Sequence, residues 1–201
     1  MKLRRSWRSL ARLGGNARGA TIVEFALIAP ALLVVLLGLF DIGFNIYVAS
    51  VMDGATQKAA RASTIEGAET QGLAIDDAVR TAVHRVIPSA TLTFERRSYA
   101  DYSDIHQPED FTDVDGDGAC DNGEPFEDVN GNGVWDSDRG VDGMGGARDA
   151  VLYTVDVSYP RVFPLMHLIG LPAIVTNQTQ TVLRNQPYGT QEQTVSIGHC
   201  P

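Results

Sequence analysis

The stretch RGATIVEFALIAPALLVVLLGLFD, Arg18 to Asp41, decides how the rest of the chain is read. From Ile22 to Phe40 it runs through 19 positions with Glu24 as the only charge. About 20 apolar residues in a helix span the ~30 Å hydrocarbon core of a bilayer. A carboxylate inside such a run is costly, by ~2.5–3.5 kcal/mol at a helix centre and less near the interface. Glu24 therefore calls for a reason.

Charge is distributed unevenly around this run. Residues 1–19 hold six basic side chains (Lys2, Arg4, Arg5, Arg8, Arg12, Arg18) and no acid, so the other 182 positions carry ten Lys+Arg against 25 Asp+Glu. The flanking arginines predict a cytoplasmic N-terminus, which sends the body outward. In a bacterium this means a single-pass inner-membrane protein with a periplasmic C-terminal domain. An acidic body disfavours nucleic acid as a partner. Cys120 and Cys200 permit a disulfide in that compartment, and two free thiols fit the sequence equally well.

Three readings of the N-terminus stand side by side. A cleaved secretory signal has the basic region and small residues near Val48–Ser50. Its apolar core is normally only ~7–15 residues, and this run also contains Glu24 and Pro30. A plain uncleaved anchor lets Glu24 reach the interface as the last wet residue. The third reading explains the glutamate. A basic leader, Gly19, then Ala20-Thr21-Ile22-Val23, then Glu24-Phe25 and a long apolar run resemble the processing site of type IV pilin-like proteins.

That resemblance implies cleavage between Gly19 and Ala20 by a prepilin peptidase, leaving Glu24 fifth in the mature chain. The new ammonium at Ala20 would lie about one helical turn from Glu24, so the carboxylate of a neighbouring subunit's Glu24 could pair with it. A buried carboxylate with a partner costs far less than one without. The wider string GATIVEFALIAPALLVVLLGLFDIG is similar to the TadE-like family, minor pseudopilins of tight-adherence (Flp) pilus assembly. VLRNQPYG, Val182 to Gly189, is loosely similar to that family's closing strand. Phe25 stands where pilins of this system often carry Tyr. Other pilin-like subunits, met through the N-terminal helix, are the partners this resemblance implies.

Beyond Phe40 the apolar stripe continues through Ile42, Ile46, Tyr47, Val48 and Val51 at helical spacings. One long helix is expected over residues 20–64, with Pro30 as a bend and Asp41 at the outer boundary. IEGAET, Ile65 to Thr70, reads as a turn with a helix start. A second helix is expected over Gln71–Val86, with Leu73, Ala74, Val79, Val83 and Val86 inward and Asp76, Asp77 and Arg80 outward. Thr91–Tyr99, Val151–Val162 and Ala173–Asn185 alternate as strands, joined for the last two by an apolar connection from Pro160 to Pro172 that is expected to pack under the sheet. The fold class is α+β, a transmembrane helix continuing into a small periplasmic domain with a second helix and an antiparallel sheet. Domain bounds fall at a 1–19 leader, 20–64 helix, 65–100 helix and strand, 101–150 acidic insert, 151–185 strands and 186–201 polar tail.

The insert holds 15 of the 25 acids between Asp101 and Asp149. DVDGDGACDNGE, Asp113 to Glu124, fits the D-x-D-x-D-G-x5-E spacing of a calcium loop. Asp113, Asp115, Asp117 and Asp121 supply carboxylates at places one, three, five and nine, Ala119 a carbonyl at seven, and Glu124 a bidentate carboxylate at twelve. DVNGNGVWDSDR, Asp128 to Arg139, repeats the frame after ~15 residues. Asp128, Asn130, Asn132, the Val134 carbonyl and Asp136 fit, but the twelfth place is Arg139, which cannot ligate. Asp138, Glu124 or Glu127 are the substitutes the sequence suggests. Calcium is the expected cofactor, with the second loop the weaker site. Pro125 and the short spacer leave no room for paired helix–loop–helix motifs, and Phe126 and Trp135 are candidates for a small core between the loops.

Catalysis is not expected. His84, His106, His167 and His199 are scattered, and no nucleophile motif is present. A calcium-binding surface or adhesion protein with an uncleaved anchor, outside any pilus, is the reading from another class.

Overall fold

The computed structural model describes residues 18–63, 68–163, 170–185 and 195–201. The basic leader through residue 17, the last residue of the expected first helix with the start of the expected turn (64–67), the middle of the apolar connection (164–169) and 186–194 lie outside the described residues. Among the described residues, two α-helices and two antiparallel sheets make an α+β architecture, and the chain divides into two compact units.

Unit one comprises the helix up to Asn45 together with 161–173. Helix α1 runs unbroken from Arg18 to Ser63, 46 residues, with Pro30 inside it. At ~1.5 Å per residue it is about 69 Å long. Its apolar part is long enough to cross a membrane, and none of its most apolar window is buried. Ile22, Leu27, Leu33, Leu39 and Phe40 all face outward. By length and composition this helix is consistent with a membrane anchor.

One charge in this unit is enclosed. Asp41 is 3% exposed and takes an ion pair from Arg161 and a hydrogen bond from Asn45 Nδ2 at 3.2 Å. Arg161 also donates from Nε to the Pro172 carbonyl at 3.0 Å and from its backbone N–H to Ala173 at 2.8 Å. The two ends of the apolar connection are thus tied to each other. Asp41 is a buried, paired group.

Unit two comprises 46–160 and 174–201. Strands β1 (Thr91–Tyr99), β3 (Val141–Asp142), β4 (Ala150–Pro160) and β5 (Ile174–Arg184) form one sheet in the order β3-β1-β4-β5, while β2 (Pro125–Asp128) pairs with β6 (Ser196–His199) in a second. The central position of β4 follows from its composition. Val151, Tyr153, Val155, Val157 and Tyr159 are each at most 2% exposed, and Ala150, Leu152 and Thr154 on the opposite face are buried as well. A strand covered on both faces can be apolar almost throughout. Its register pairs Tyr153 with Arg96 on one side and Thr181 on the other.

Helix α2 (Ala68–His84) supplies Ile75, Val79 and Val83 at four-residue spacing, and Ile87 beyond its end continues the stripe. This rotates the buried face from the expected one. Leu73 is 84% exposed, whereas Asp76 is buried. The reason is chemical: the Tyr153 hydroxyl donates to Asp76 at 2.7 Å and Arg96 pairs with the same carboxylate. A buried charge is tolerated when it is paired and hydrogen-bonded. The Arg96 guanidinium also lies 4.5 Å from the Tyr153 ring centre. Burial and the bond to Asp76 both favour the neutral phenol, pushing the Tyr153 pKa up. The upper part of α1 contributes Val48, Met52, Thr56, Ala59 and Ala60 to this unit's interior, and Thr179 on β5 donates to Asp53 at 2.6 Å.

The C-terminal residues depart from the expected tail. Ser196–His199 pairs with Pro125–Asp128, and Cys200 forms a disulfide with Cys120 across a sequence separation of 80. Gly198 is the partner of Phe126, and a Cβ there would lie 2.3 Å from the ring. Only a residue without a side chain lets the strand pass over that buried phenyl group.

Candidate functional site

Two segments concentrate the chemistry, and each is built differently. The processing segment is the first turns of α1. Gly19 and Glu24 are exposed on a regular helix, and Phe25 is 64% exposed. Among the described residues no ion pair reaches Glu24. A helix places Gly19 and Glu24 five residues apart, with the backbone of residue 20 about one turn before the carboxylate. Nothing in the described interior neutralises Glu24.

The first acidic loop curls because its side chains replace absent backbone pairing. Asp113 accepts N–H bonds from Gly116 at 2.6 Å and Gly118 at 3.0 Å, Asp115 from Asp117 at 3.3 Å, and Asp117 from Ala119 at 2.8 Å. Gly116, Gly118 and Gly123 take positive φ, as the tight curl requires. Asp113, Asp115 and Asp117 converge, each with a carboxylate oxygen within 4.8 Å of the others. Asp121 has its pKa raised, first by loss of hydration and then by Asp117, Asp115, Glu124 and Asp113. The Ala119 carbonyl belongs to the same curl.

Glu124 closes the loop. It is 4% exposed, and its Oε1 accepts the Val114 N–H at 2.5 Å. Its Oε2 is buried with no hydrogen-bond partner among the described residues. Buried polar atoms are nearly always satisfied, and an orphan calls for a specific cause, such as an ion. No Arg, Lys or His pairs with any carboxylate of either loop, taking these as Asp113, Asp115, Asp117, Asp121, Glu124, Asp128 and Asp136, among the described residues.

The second loop repeats the curl. Asp128 accepts from Gly131 at 2.7 Å, Asn132 at 3.1 Å and Gly133 at 2.9 Å, and Asn132 accepts from Val134 at 2.7 Å. Asn130 and Asn132 both donate to Asp136 at 2.7 Å. Asp138 lines the same hollow as Asn130, Asn132 and Asp136, but its carboxylate is already engaged. It accepts from Arg97 at 3.3 Å, Tyr99 at 3.2 Å and its own turn at Gly140 N–H at 3.1 Å. Burial and the Asp138 charge push the Tyr99 pKa up to about 12. Glu127 is exposed on β2, and Glu124 is engaged in the first loop.

The residue that sequence reasoning missed is Glu109. It is 1% exposed, accepts the Val129 N–H at 2.8 Å and the Asp136 N–H at 3.0 Å, and has its own carbonyl bound by Trp135 Nε1 at 2.8 Å. Phe111 packs edge-on against Trp135, with ring centres 5.8 Å apart. Phe126 is buried. The signal that would have found Glu109 is the repeat itself: Glu109-Asp110-Phe111-Thr112-Asp113 matches Glu124-Pro125-Phe126-Glu127-Asp128 in frame.

Comparison with known proteins bears on the helix alone. Residues 19–61 match the family model of TadE, described as TadE-like protein. No curated protein matches the chain, and no solved structure does. The match begins at Gly19 and covers Glu24 and Phe25, the segment whose residue order resembles a pilin-type processing site.

Proposed function

We propose that this chain is a membrane-anchored minor pseudopilin acting in tight-adherence, Flp-type pilus assembly, with a calcium-stabilised periplasmic insert. The observation that carries the first part is the coincidence of the TadE-like match with an exposed apolar helix holding one glutamate five residues after Gly19. A lone carboxylate on an otherwise lipid-compatible surface is favoured by a partner supplied from outside the chain. Cleavage after Gly19 by a prepilin peptidase creates that partner, the Ala20 ammonium, on each assembling subunit. The helix is held in the inner membrane with the leader in the cytoplasm and the sheet domain in the periplasm. The Cys120–Cys200 bond accords with that oxidising compartment.

For the insert, the orphaned Oε2 of Glu124 carries the metal reading. Asp113, Asp115, Asp117 and Asp121, the Ala119 carbonyl and both oxygens of Glu124 form an all-oxygen set suited to calcium, with Asp128, Asn130, Asn132, the Val134 carbonyl and Asp136 as a second. Calcium there neutralises carboxylates that otherwise repel. The role is structural rather than catalytic, since a loop closed by its own ligands leaves no position for substrate.

N-terminal analysis of the mature protein tests the assignment. It should begin at Ala20, and Glu24→Ala should abolish co-purification with other pilin-like subunits while leaving membrane insertion intact. A chain that begins near Met1 would instead fit an uncleaved surface anchor outside any pilus.

A further inference from the structure

The two acidic loops form halves of one closed pair. The Thr112 N–H donates to the Pro125 carbonyl at 2.9 Å, and the Glu127 N–H donates to the Asp110 carbonyl at 2.8 Å. Each of these bonds becomes the other when fifteen is added to one residue number and subtracted from its partner. Phe111 and Phe126, themselves related by that shift, face each other in an antiparallel bridge. The Glu124 N–H donates to the Asp121 carbonyl at 3.0 Å, and the Glu109 N–H to the Asp136 carbonyl at 2.9 Å. Val114 N–H donates to Glu124 Oε1, and Val129 N–H to Glu109 Oε1. Pairs that interchange in this way mark a local two-fold axis passing between the phenylalanines.

Under that axis Glu109 is the counterpart of Glu124. We infer that Glu109 is the closing ligand of the second loop, taking the twelfth place that Arg139 leaves empty, so that the insert is a closed module for two calcium ions. The inference rests on the calcium reading of the first loop, where the buried and unpartnered Glu124 Oε2 points to a ligand. It goes beyond that reading by assigning a residue outside the second loop's own sequence. Arg139 is occupied elsewhere, donating to the Pro108 carbonyl at 2.7 Å and pairing with Asp110 at 2.7 Å. Glu109 has no cationic partner among the described residues, although it is 1% exposed. Its Oε2 accepts the Asp136 N–H, and a carboxylate oxygen keeps a second lone pair for an ion. Closure is circular: the glutamate opening the first repeat completes the second loop, and the glutamate opening the second repeat completes the first.

Equilibrium dialysis of the full detergent-solubilised chain against calcium alone tests this, with disulfide content and circular dichroism checked for each variant. The wild type should bind two ions. Glu109→Gln should keep the first ion at unchanged affinity and weaken the second by at least about tenfold, as expected for losing a charged ligand. Glu109→Asp, shorter but still charged, should retain two ions with a smaller loss. Asp138→Asn should leave both untouched. A wild type that binds no calcium overturns the calcium reading itself. Two ions at wild-type affinity in Glu109→Gln, or only one ion in the wild type, overturns the assignment of Glu109 while leaving the first site standing. Loss of both ions in Glu109→Gln and Glu109→Asp alike makes Glu109 a folding residue and also overturns the assignment.

Discussion

The four-stranded sheet and the acidic insert are neighbours in one unit, yet they are held by opposite means. Within the sheet, β4 buries Val155 to 0% and Tyr159 to 1% exposure, so apolar burial is its main source of stability. Within the insert, the buried apolar residues are few, with Phe126 the largest, and side chains do the work of a core. Asp113 and Asp128 accept the N–H groups of their own turns, and a disulfide and a short strand fasten the edge. The difference shows that a segment too polar to collapse can still adopt one conformation if its carboxylates are given fixed donors and a cross-link.

The largest effect that would test this contrast is in the sheet. Tyr153→Ala should destabilise the domain by about 3–5 kcal/mol, by the cavity left and the loss of the Asp76 bond. Denaturant unfolding should give the same loss with calcium and with chelator; a loss that depends on calcium would erase the distinction. Next, Cys120→Ser with Cys200→Ser should cost about 2–4 kcal/mol by releasing a long loop. Hydrogen exchange should quicken in Pro125–Asp128 and Ser196–His199 while β1, β4 and β5 stay protected. Third, chelation or Asp117→Ala should expose residues 101–149 to protease. At ~1 mM calcium and a Kd of ~10⁻⁴ M the ion contributes about 1.4 kcal/mol. Equal nicking with and without chelator would leave the insert with no need of metal.

The smallest effect lies where the two regions touch, at Tyr99 beside Asp138. The folded protein holds the Tyr99 proton to about pH 12, above the ordinary phenol value of 10.0. The folded state therefore binds more protons than the unfolded state between those values. That contribution is complete below about pH 10, falls as pH rises and is gone above about pH 12. Absorbance at alkaline pH should show Tyr99 ionising late, and Tyr99→Phe should flatten the decline in stability across that window.

Much of the sheet was legible because its signal is local. Thr91–Tyr99 reads as a strand from its alternation, and the observed β1 has those bounds. The β4 and β5 bounds lie within one or two residues of the alternating runs. The long helix was legible from unbroken apolarity. Three features were not. Asp76 is buried because Tyr153, 77 positions away, reaches it, and no helical wheel carries that information. Ser196–His199 has no strand-like run of its own and is ordered by Phe126 and Cys120. Glu109 lies outside the twelve-residue window by which a metal loop is recognised, and only the fifteen-residue repeat that relates it to Glu124 points to it.

The bond between Cys120 and Cys200 also sets a mechanical route through the chain. A tension entering before Cys120 and leaving after Cys200 passes directly from sulfur to sulfur. The second loop, β4 and β5 lie between these residues in sequence and are bypassed by the covalent path, so they cannot be drawn out while the bond is intact. What precedes Cys120 remains in the line of force: α1, α2, β1 and the first acidic loop as far as Ala119, while Asp121 and Glu124 lie on the bypassed side.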